Sequence, residues 1–464
     1  MPASYPDSRI DATLALMKPK FLEVFKTEPS EVEWLLFTFA PGRVNFYGEH
    51  ADYMGGYVCP GGLREGCHIL VGRVAKYKDA KLRFATTKGQ YYELASIAEG
   101  SQNKDWSTFA RGAACIMLND LKKDLDDAEL QGMCLISHGT LPMGSGMSAS
   151  ASYDVALLMA IRSVALATYK AAPQTHPHHY PELHRGSRED KIKLTKQALL
   201  IETKYCGVNV GIMDQFSCVH ATKDKFMALD CDTLTFKNHE IGNITGPDAC
   251  FLLINSMVKH ELTAGDHGNG YNAIRSDIEG AELAVSKTKL GGKPFKFCHI
   301  ARNPTKFTTG DPVQFVADCK AAMTPSQYAR GVFNVAEQIR TIDFINLSEP
   351  SCPLSPAERY KRAGELLNAT HEGQRDALRI STPELNFIQE AINKEEGVAG
   401  GRLMGGGFGG CILLLLKKSA VDRVLRNVQA GFKAKFGLTP EAYPVELCDG
   451  GFTVSLWSGK ASSL

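Results

Sequence analysis

The sequence lacks the features that mark secreted, membrane-spanning or zinc-ribbon proteins. Its 13 cysteines are spread from Cys59 to Cys448 with no C-x-x-C pair, which argues against a disulfide scaffold or a zinc ribbon and favours reduced thiols. The first ten residues hold no apolar signal region. The longest strongly apolar run, residues 411–416, is too short to span a bilayer. We therefore expect a cytoplasmic protein with no membrane partner.

The chain also carries almost no net charge. Its 52 Lys and Arg residues are balanced by 51 Asp and Glu residues, so it has no electrostatic footprint for nucleic acid or an anionic membrane. A local cluster could still hold a small anionic ligand. The chain ends in Ser462-Ser463-Leu464, which is similar to the Ser-Lys-Leu peroxisomal signal without its basic residue. A peroxisome-type location therefore stays open beside the cytoplasm.

The motifs of two familiar classes of nucleotide-binding enzymes are missing as well. No G-x-x-x-x-G-K-[ST] sequence occurs, and neither an H-R-D nor a D-F-G motif is present, which excludes P-loop enzymes and protein kinases. Gly405-x-Gly407-x-x-Gly410 formally matches the dinucleotide fingerprint. It precedes the apolar run 411–416 instead of opening a helix, so we interpret the match as accidental.

Strands and helices alternate along the 464 residues, which predicts an α+β fold with two layers in each lobe. The stretch 303–356 is predicted to contain one short helix among Pro and Thr residues, and the His-rich stretch 171–185 to be a surface loop, with a metal site as the alternative. The other predicted helices cover 1–33, 106–121, 150–167, 190–205, 382–393 and 420–436, and the predicted strands cover 35–40 (ending at Pro41-Gly42), 68–74, 134–137, 251–256 and 411–416.

A loop of small residues runs directly into a predicted helix at Gly144-Ser145-Gly146-Met147-Ser148-Ala149-Ser150-Ala151-Ser152. Small side chains let backbone N–H groups approach an anion, and a helix N-terminus adds partial positive charge. The hydroxyls of Ser148, Ser150 and Ser152 are hard oxygen ligands that suit Mg²⁺. The pattern indicates a phosphate-binding loop, and a polar helix cap is the alternative.

Two further segments carry dense polar chemistry. The segment Arg43-Val44-Asn45-Phe46-Tyr47-Gly48-Glu49-His50-Ala51-Asp52-Tyr53 packs donors and acceptors between glycines, as a polyhydroxylated ligand requires. The segment Gly211-Ile212-Met213-Asp214-Gln215-Phe216 places one carboxylate in an apolar, buried setting. A buried carboxylate needs a cationic or hydrogen-bonding partner, so we expect Asp214 to have one.

Together these segments resemble the galactokinase branch of the GHMP small-molecule kinases. The 43–53 segment looks like the sugar-binding signature, 144–152 like the phosphate loop, and 211–216 like the catalytic Asp segment. Gly405-Gly406-Gly407-Phe408-Gly409-Gly410-Cys411 is similar to the third motif of the family. The four motifs occur in the family's order and span nearly the whole chain.

The resemblance implies a role for each matching residue. Asp214 would face the reactive sugar hydroxyl with Arg43 as its charged partner, and Ser150 and Glu202 would hold Mg²⁺ against the ATP phosphates. Trp106 would lie near the adenine, with core packing as its alternative role. The remaining implied contacts are Glu49, His50, Asp52, Gly211 and Tyr271 for the sugar, and Gly144, Ser145, Gly146, Met147, Ser148, Ser150, Ala151 and Ser152 for ATP.

The resemblance also implies an architecture. It predicts a two-lobed GHMP kinase fold, with an N-terminal lobe like ribosomal protein S5 over residues 1–224 and a ferredoxin-like lobe over 225–464. The active site would lie between the lobes, and the last strand could return to the first lobe. The implied reaction transfers phosphate from ATP to the C1 hydroxyl of a sugar by a monomeric enzyme with Mg²⁺ as cofactor.

Departures from the family pattern leave the sugar open. Phe46-Tyr47, Ala51, Met54 and Ala149 replace residues usual in the family, and the stretch 61–68 is similar to that of the related L-arabinokinases. Glu49 and His50 match the pair that reaches the C6 hydroxyl in galactokinases, which favours galactose over L-arabinose. N-acetylgalactosamine stays open as a further alternative. A catalytically silent sugar sensor is the remaining alternative. The gap-free phosphate loop argues against it.

Overall fold

A computed structural model describes residues 8–79, 81–94, 106–121, 131–169, 186–258 and 270–458. The His-rich stretch 171–185 and the C-terminal residues 462–464, both singled out above, lie outside these ranges. The α-helices are α1 (Ser8–Val24), α2 (Trp106–Leu121), α3 (Ala149–Tyr169), α4 (Arg188–Leu200), α5 (Met213–His220), α6 (Gly242–Thr245), α7 (Tyr271–Lys289), α8 (Phe297–Arg302), α9 (Pro312–Ala317), α10 (Pro325–Ser348), α11 (Pro356–Gly373), α12 (Pro383–Ile392) and α13 (Val421–Phe436).

The strands form three sheets. They are β1 (Val32–Asn45), β2 (Tyr57–Val58), β3 (Pro60–Val74), β4 (Leu82–Thr86), β5 (Tyr91–Leu94), β6 (Met133–Gly139), β7 (Lys225–Asp230), β8 (Thr235–Glu240), β9 (Ala249–Asn255), β10 (Val398–Met404), β11 (Cys411–Lys417), β12 (Glu441–Pro444), β13 (Leu447–Cys448) and β14 (Phe452–Ser458). The chain therefore has the mixed helix and strand content of the α+β class.

The first lobe is built on a seven-stranded sheet with the order β14-β1-β3-β6-β4-β5, in which β13 also pairs with β3. Successive residues of a strand point to opposite faces, and the sequence of β1 is apolar on both. Leu36 packs on the side of α2 and α3, whereas Phe37 packs with Met17 and Phe21 of α1. This double burial fixes β1 at the centre of the lobe.

The second lobe is built on an antiparallel sheet with the order β10-β11-β9-β12. The central strand β11 contains the predicted strand 411–416, which is confirmed. Ile412 and Leu414 face one hydrophobic cluster, and Leu413 and Leu415 face another. A continuous apolar run is expected for a strand that is covered on both faces.

The end of the chain leaves the second lobe. β14 pairs antiparallel with β1, from Trp34 opposite Ser458 to Phe39 opposite Phe452. A third, small sheet joins β2 to β7 and β8, so residues on both sides of position 224 share a sheet. The boundary at 224/225 stays a prediction.

The prediction for residues 303–356 was wrong. This stretch contains α10, a helix of 24 residues, as well as the shorter α9. Both helices have Pro in their first turn, where its missing N–H costs nothing. The side chain of Thr324 accepts from the N–H of Gln327, and the side chain of Gln327 accepts from the N–H of Thr324. The prolines therefore begin helices here and do not break them.

The predicted end of the first strand at Pro41-Gly42 was also wrong. Pairing with β3 continues from Ala40 opposite Cys67 to Asn45 opposite Pro60, with an irregularity between Pro41 and Arg43. Proline has no N–H to donate to a sheet, so a bulge at this position lets the strand resume. The strand therefore carries the first residues of the 43–53 segment into the interior of the protein.

Candidate active site

Most of the sequence-predicted site residues meet at one cavity of about 500 Å³. Its lining combines the signature segment, the phosphate loop, the 211–214 segment and the second lobe. The predicted residues that line it are Arg43, Glu49, His50, Asp52, Trp106, Gly144, Ser145, Gly146, Met147, Ser148, Ser150, Gly211, Asp214 and Tyr271. Segments that are more than 200 residues apart in the chain therefore share one concave surface.

The centre of the cavity is an ion pair between Arg43 and Asp214. Arg43 Nε donates to Asp214 Oδ1 at 2.8 Å, and Arg43 Nη2 donates to Oδ2 at 3.2 Å. The arginine side chain is 5% exposed and the aspartate side chain 31%. Burial lowers the pKa of Arg43, but the carboxylates of Asp214 and Glu49 outweigh this effect and raise it. Asp214 thus has the predicted cationic partner, although it is less buried than its apolar neighbours suggested.

Ser148 is a second partner of the same carboxylate. Its Oγ donates to Asp214 Oδ2 at 2.5 Å, and its backbone has a positive φ of 59°. Few non-glycine residues adopt this conformation. It turns the hydroxyl toward Asp214, a contact that sequence reasoning did not anticipate when it assigned Ser148 to ATP alone.

The phosphate loop is pressed against the glycine-rich turn of the second lobe. A side chain at Gly146 would lie 2.9 Å from the carbonyl of Met404, and one at Gly410 would lie 3.0 Å from the carbonyl of Ser145. Both glycines also have positive φ, so glycine is required by space and by conformation. The loop then opens α3, whose N-terminal N–H groups suit a phosphate.

Glu202 lies beside this loop. The stretch 190–205 is helical as predicted, but α4 ends at Leu200 and a π-type turn covers Ile201–Tyr205. Such turns occur often at functional sites. Here Glu202 accepts hydrogen bonds from Ser150 and, at 3.0 Å, from Gln215. Burial and then the charge of Asp214 raise its pKa to about 7.

These oxygens fit the predicted Mg²⁺. Burial and then the charge of Asp214 raise the pKa of Glu202, and a divalent cation would oppose both effects by stabilising the ionised carboxylate. Among the described residues, no group of three His, Cys, Asp or Glu side chains could enclose a metal. Mg²⁺ commonly binds with one or two carboxylates, substrate phosphates and waters, so Ser150 and Glu202 are a sufficient protein contribution.

Ala151 and Ser152 were predicted to bind ATP, but they do not line the cavity. Ala151 is fully buried in the hydrophobic core of the first lobe. The hydroxyl of Ser152 donates to the carbonyl of Ala40 at 2.7 Å and accepts from the N–H of Cys67 at 2.8 Å. Their side chains therefore join α3 to the sheet instead of reaching a ligand.

Glu49 is almost completely buried where the cavity meets the second lobe. Its Oε1 accepts from Arg402 Nη1 at 3.2 Å and from the N–H of Gly405 at 2.8 Å. Burial raises the pKa of Glu49, but Arg402 and Arg43 outweigh it, so the pKa is lowered. Both contacts use Oε1, which leaves Oε2 to accept from a ligand. Arg402 lies three residues before the 405–411 motif and was not singled out from the sequence.

The other predicted sugar contacts surround Asp52. His50 Nδ1 lies 2.8 Å from the hydroxyl of Tyr53, and its ring is 5.2 Å from that of Tyr271. Asp52 Oδ2 accepts from the N–H of Met213 at 3.4 Å. Burial, followed by the charge of Asp214, raises the pKa of Asp52 to about 7.

The lining of the cavity also includes apolar and aromatic side chains. They are Trp106, Phe109, Leu141 and Tyr153. Trp106 also packs against the core of the first lobe, with its ring 6.5 Å from that of Tyr92. Both interpretations of Trp106 are therefore compatible with its position, and its contact with adenine stays a prediction.

Sequence reasoning missed the residues of α10 that hold the signature segment. Asn334 donates to the carbonyl of His50 at 3.1 Å, and Glu337 Oε1 accepts from the N–H of Gly48 at 3.2 Å. Gln338 accepts from the N–H of Tyr57 and donates to its carbonyl, at 2.7 and 3.1 Å. The spacing of these residues is that of one face of a helix, but the sequence led us to predict mostly irregular structure for this stretch.

The protein also shows similarity to known families. A model described as the galactokinase galactose-binding signature matches residues 19–73, the GHMP kinase N-terminal domain matches 109–222, and the GHMP kinase C-terminal domain matches 353–434. No helix in the described ranges is both long and apolar enough to cross a bilayer. The predicted monomeric state and cytoplasmic or peroxisome-type location stay predictions.

Relatives align over nearly the full length of the chain. It is 26% identical over 440 residues to galactokinase of Clostridium acetobutylicum (94% of this chain, 97% of the relative). It is 27% identical over 443 residues to galactokinase of Bacillus subtilis (94% and 98%). The fold resembles the crystal structure of Lactococcus lactis galactokinase complexed with galactose, with a TM-score of 0.74, 24% identity and coverage of 95% and 99%. The predicted two-lobed architecture is thereby confirmed.

Proposed function

Because the chain belongs to the GHMP kinase family, we propose that it is a galactokinase that converts ATP and D-galactose to ADP and galactose 1-phosphate. One observation carries the proposal. Asp214, held by Arg43 and Ser148, stands where the sugar signature and the phosphate loop line one cavity. Full-length similarity to galactokinases supports the same reaction.

The geometry suits phosphoryl transfer through a loose transition state. In such a reaction the acceptor hydroxyl can keep its proton until the new bond is largely formed. Arg43 and Ser148 fix both oxygens of Asp214, so this carboxylate can orient the hydroxyl and accept its proton late. The phosphoryl group moves to the sugar oxygen and ADP departs.

Mg²⁺ is proposed as the cofactor, held by Ser150 and Glu202. When bound it would neutralise charge on the transferred phosphoryl group. The N-terminal N–H groups of α3 would bind phosphate oxygens beside it. The phosphate loop, including Ser150, lines the same cavity as Asp214, which would keep the triphosphate close to this carboxylate.

Galactose is proposed as the sugar because Glu49 and His50 are both present and line the cavity. Glu49 is buried and its Oε1 is already bound by Arg402 and Gly405, so a sugar without a matching hydroxyl would leave Oε2 without a hydrogen-bond donor. Sites of this kind discriminate strongly against analogues that lack the hydrogen-bonding group.

A coupled assay of ADP release tests the proposal, with ³¹P NMR to identify the product. Galactose should give a sugar 1-phosphate, and L-arabinose and N-acetylgalactosamine should be poor substrates. Asp214→Asn should abolish turnover but keep ATP binding, because the carboxylate lies at the acceptor side of the loop. Faster turnover of L-arabinose would refute the choice of galactose. Near-normal turnover of Asp214→Asn would refute the catalytic role.

A further inference from the structure

Arg402 is a buried cation that the proposed reaction does not use. It lies on β10 of the second lobe, and its side chain is 0% exposed. Nε donates to the carbonyl of Phe46 at 3.0 Å, and Nη2 donates to the carbonyl of Asn45 at 2.5 Å. Nη1 donates to the carbonyl of Leu403 at 2.6 Å and to Glu49 Oε1 at 3.2 Å. The guanidinium therefore binds three points on the first lobe.

We infer that Arg402 is a positioning residue for sugar binding, which fixes the orientation of Glu49 from the opposite lobe. This inference rests on the proposed function of the cavity as a sugar kinase site. Arg402 does not line the cavity, so it would act only through Glu49 and the backbone before it. The planar fork of arginine suits this arrangement, because one side chain can bind several fixed oxygens at once.

The neighbouring backbone supports the same role. The N–H of Gly405 donates to the Glu49 oxygen that Arg402 also binds, and the carbonyl of Gly406 lies 3.3 Å from His50 Nε2. The strand and turn after Arg402 thus contact two adjacent sugar-site residues. The same turn touches the phosphate loop, since a side chain at Gly405 would lie 3.3 Å from Gly146.

A purely structural role accounts less well for these contacts. A buried ion pair often adds little stability over apolar residues of similar size. Here the cation points to a carboxylate that must stay ionised and aimed at the cavity. Without Arg402, the buried Glu49 would lose its nearest cation, and its carboxylate could turn away from the sugar.

Steady-state kinetics of the full-length enzyme can test the inference. Arg402→Lys keeps a cation but loses the fork, and is expected to raise KM for galactose while KM for ATP stays within about threefold. A misplacement of about 1 Å can cost about 10²-fold in kcat/KM, which sets the scale for Arg402→Gln. Equal increases in both KM values, or no change in either, would overturn the positioning role.

A double-mutant cycle separates positioning from folding. In a Glu49→Gln background, Arg402→Lys should change KM for galactose much less than in the wild type, because the oriented charge is already absent. Equal effects in the two backgrounds would overturn the inference. The cycle uses only Arg402→Lys and Glu49→Gln, so it can be completed even if Arg402→Gln does not fold. Calorimetric titration of galactose without ATP measures the same coupling as a change in sugar affinity.

The controls distinguish this inference from the proposed function. If the wild type does not phosphorylate galactose, the function is wrong. The cycle is then measured by calorimetry with the sugar of the panel that binds. An equal effect of Arg402→Lys on the affinity for that sugar in the wild type and in the Glu49→Gln background would refute the positioning role.

Discussion

Gly211 offers a test of the sugar site that changes only shape. A side-chain carbon at this position would lie 2.0 Å from Asp52 Oδ2 and 2.2 Å from its Cγ. Gly211 does not have a positive φ, so alanine is compatible with the backbone and the obstacle is Asp52 alone. Contacts below 3.0 Å are essentially never seen for such a carbon. The carboxylate must therefore move by about 1 Å or more.

The magnitude follows from that displacement. A shift of about 1 Å in a binding group can cost about 10²-fold in kcat/KM, equivalent to about 2.7 kcal/mol of transition-state stabilisation. We expect Gly211→Ala to lose this much with galactose, mainly through KM, and to keep its KM for ATP. Initial rates with each substrate varied in turn would measure the two effects separately.

Two control variants test whether the clash with Asp52 causes the loss. Gly242→Ala places a methyl group where nothing lies within 4 Å, so it should leave the kinetics unchanged. In an Asp52→Ala background the clash is gone, and adding Gly211→Ala should cost little. A normal KM for galactose in Gly211→Ala would refute the placement of Asp52 at the sugar. An equal loss in the Asp52→Ala background would refute the proposed clash.

Four further predictions concern Asp52, Ser148 and Glu337. Asp52 has a pKa raised to about 7, and its ionised form accepts from a sugar hydroxyl more strongly than its protonated form. We therefore expect kcat/KM for galactose to rise with pH through about 7, and Asp52→Asn should remove this part of the profile. Between pH 3.8 and about 7, the folded chain binds this proton and the unfolded chain does not, so the contribution of Asp52 to the free energy of unfolding falls as pH rises through this window. Urea unfolding should show a weaker fall of the free energy of unfolding in Asp52→Asn than in the wild type. Ser148→Ala removes one of the contacts that orient Asp214 and should lower kcat about tenfold while calorimetry shows ATP binding within threefold; a loss of ATP binding instead would favour the phosphate role of Ser148. Glu337 is fully buried and binds Gly48, Thr370 and Arg340, so Glu337→Leu should lower the free energy of unfolding by about 3–5 kcal/mol, because Arg340 loses its buried partner; an unchanged urea midpoint would contradict this.

Local chemistry made many of the cavity-lining residues predictable. Glycines beside hydroxyl and carboxylate side chains leave few structural alternatives, so the phosphate loop and the signature could be found in the sequence. The partner of Asp214 was likewise required by the cost of burying a lone charge. Its identity as Arg43 came from the family resemblance, because 171 positions separate the two residues.

The errors have a different origin. Proline was interpreted as a helix breaker over 303–356, although Pro at the first position of a capped helix is favourable. Ser152 carries the same hydroxyl as Ser150, and the two differ only in which side of α3 they occupy. That difference depends on how α3 packs against β1 and β3, which local sequence does not contain.

The arrangement of α10 and β10 explains why the supporting residues are hardest to find. Ligand contacts cluster in sequence because one loop presents them, but the groups that hold this loop come from wherever the fold brings a second surface. Here Asn334, Glu337 and Arg402 hold a segment of the first lobe from the second. Each satisfies a backbone or carboxylate group that would otherwise be buried without a partner. The proposed sugar site therefore depends on the contact between the lobes, and we expect substitutions on the second lobe to change sugar affinity without touching the sugar.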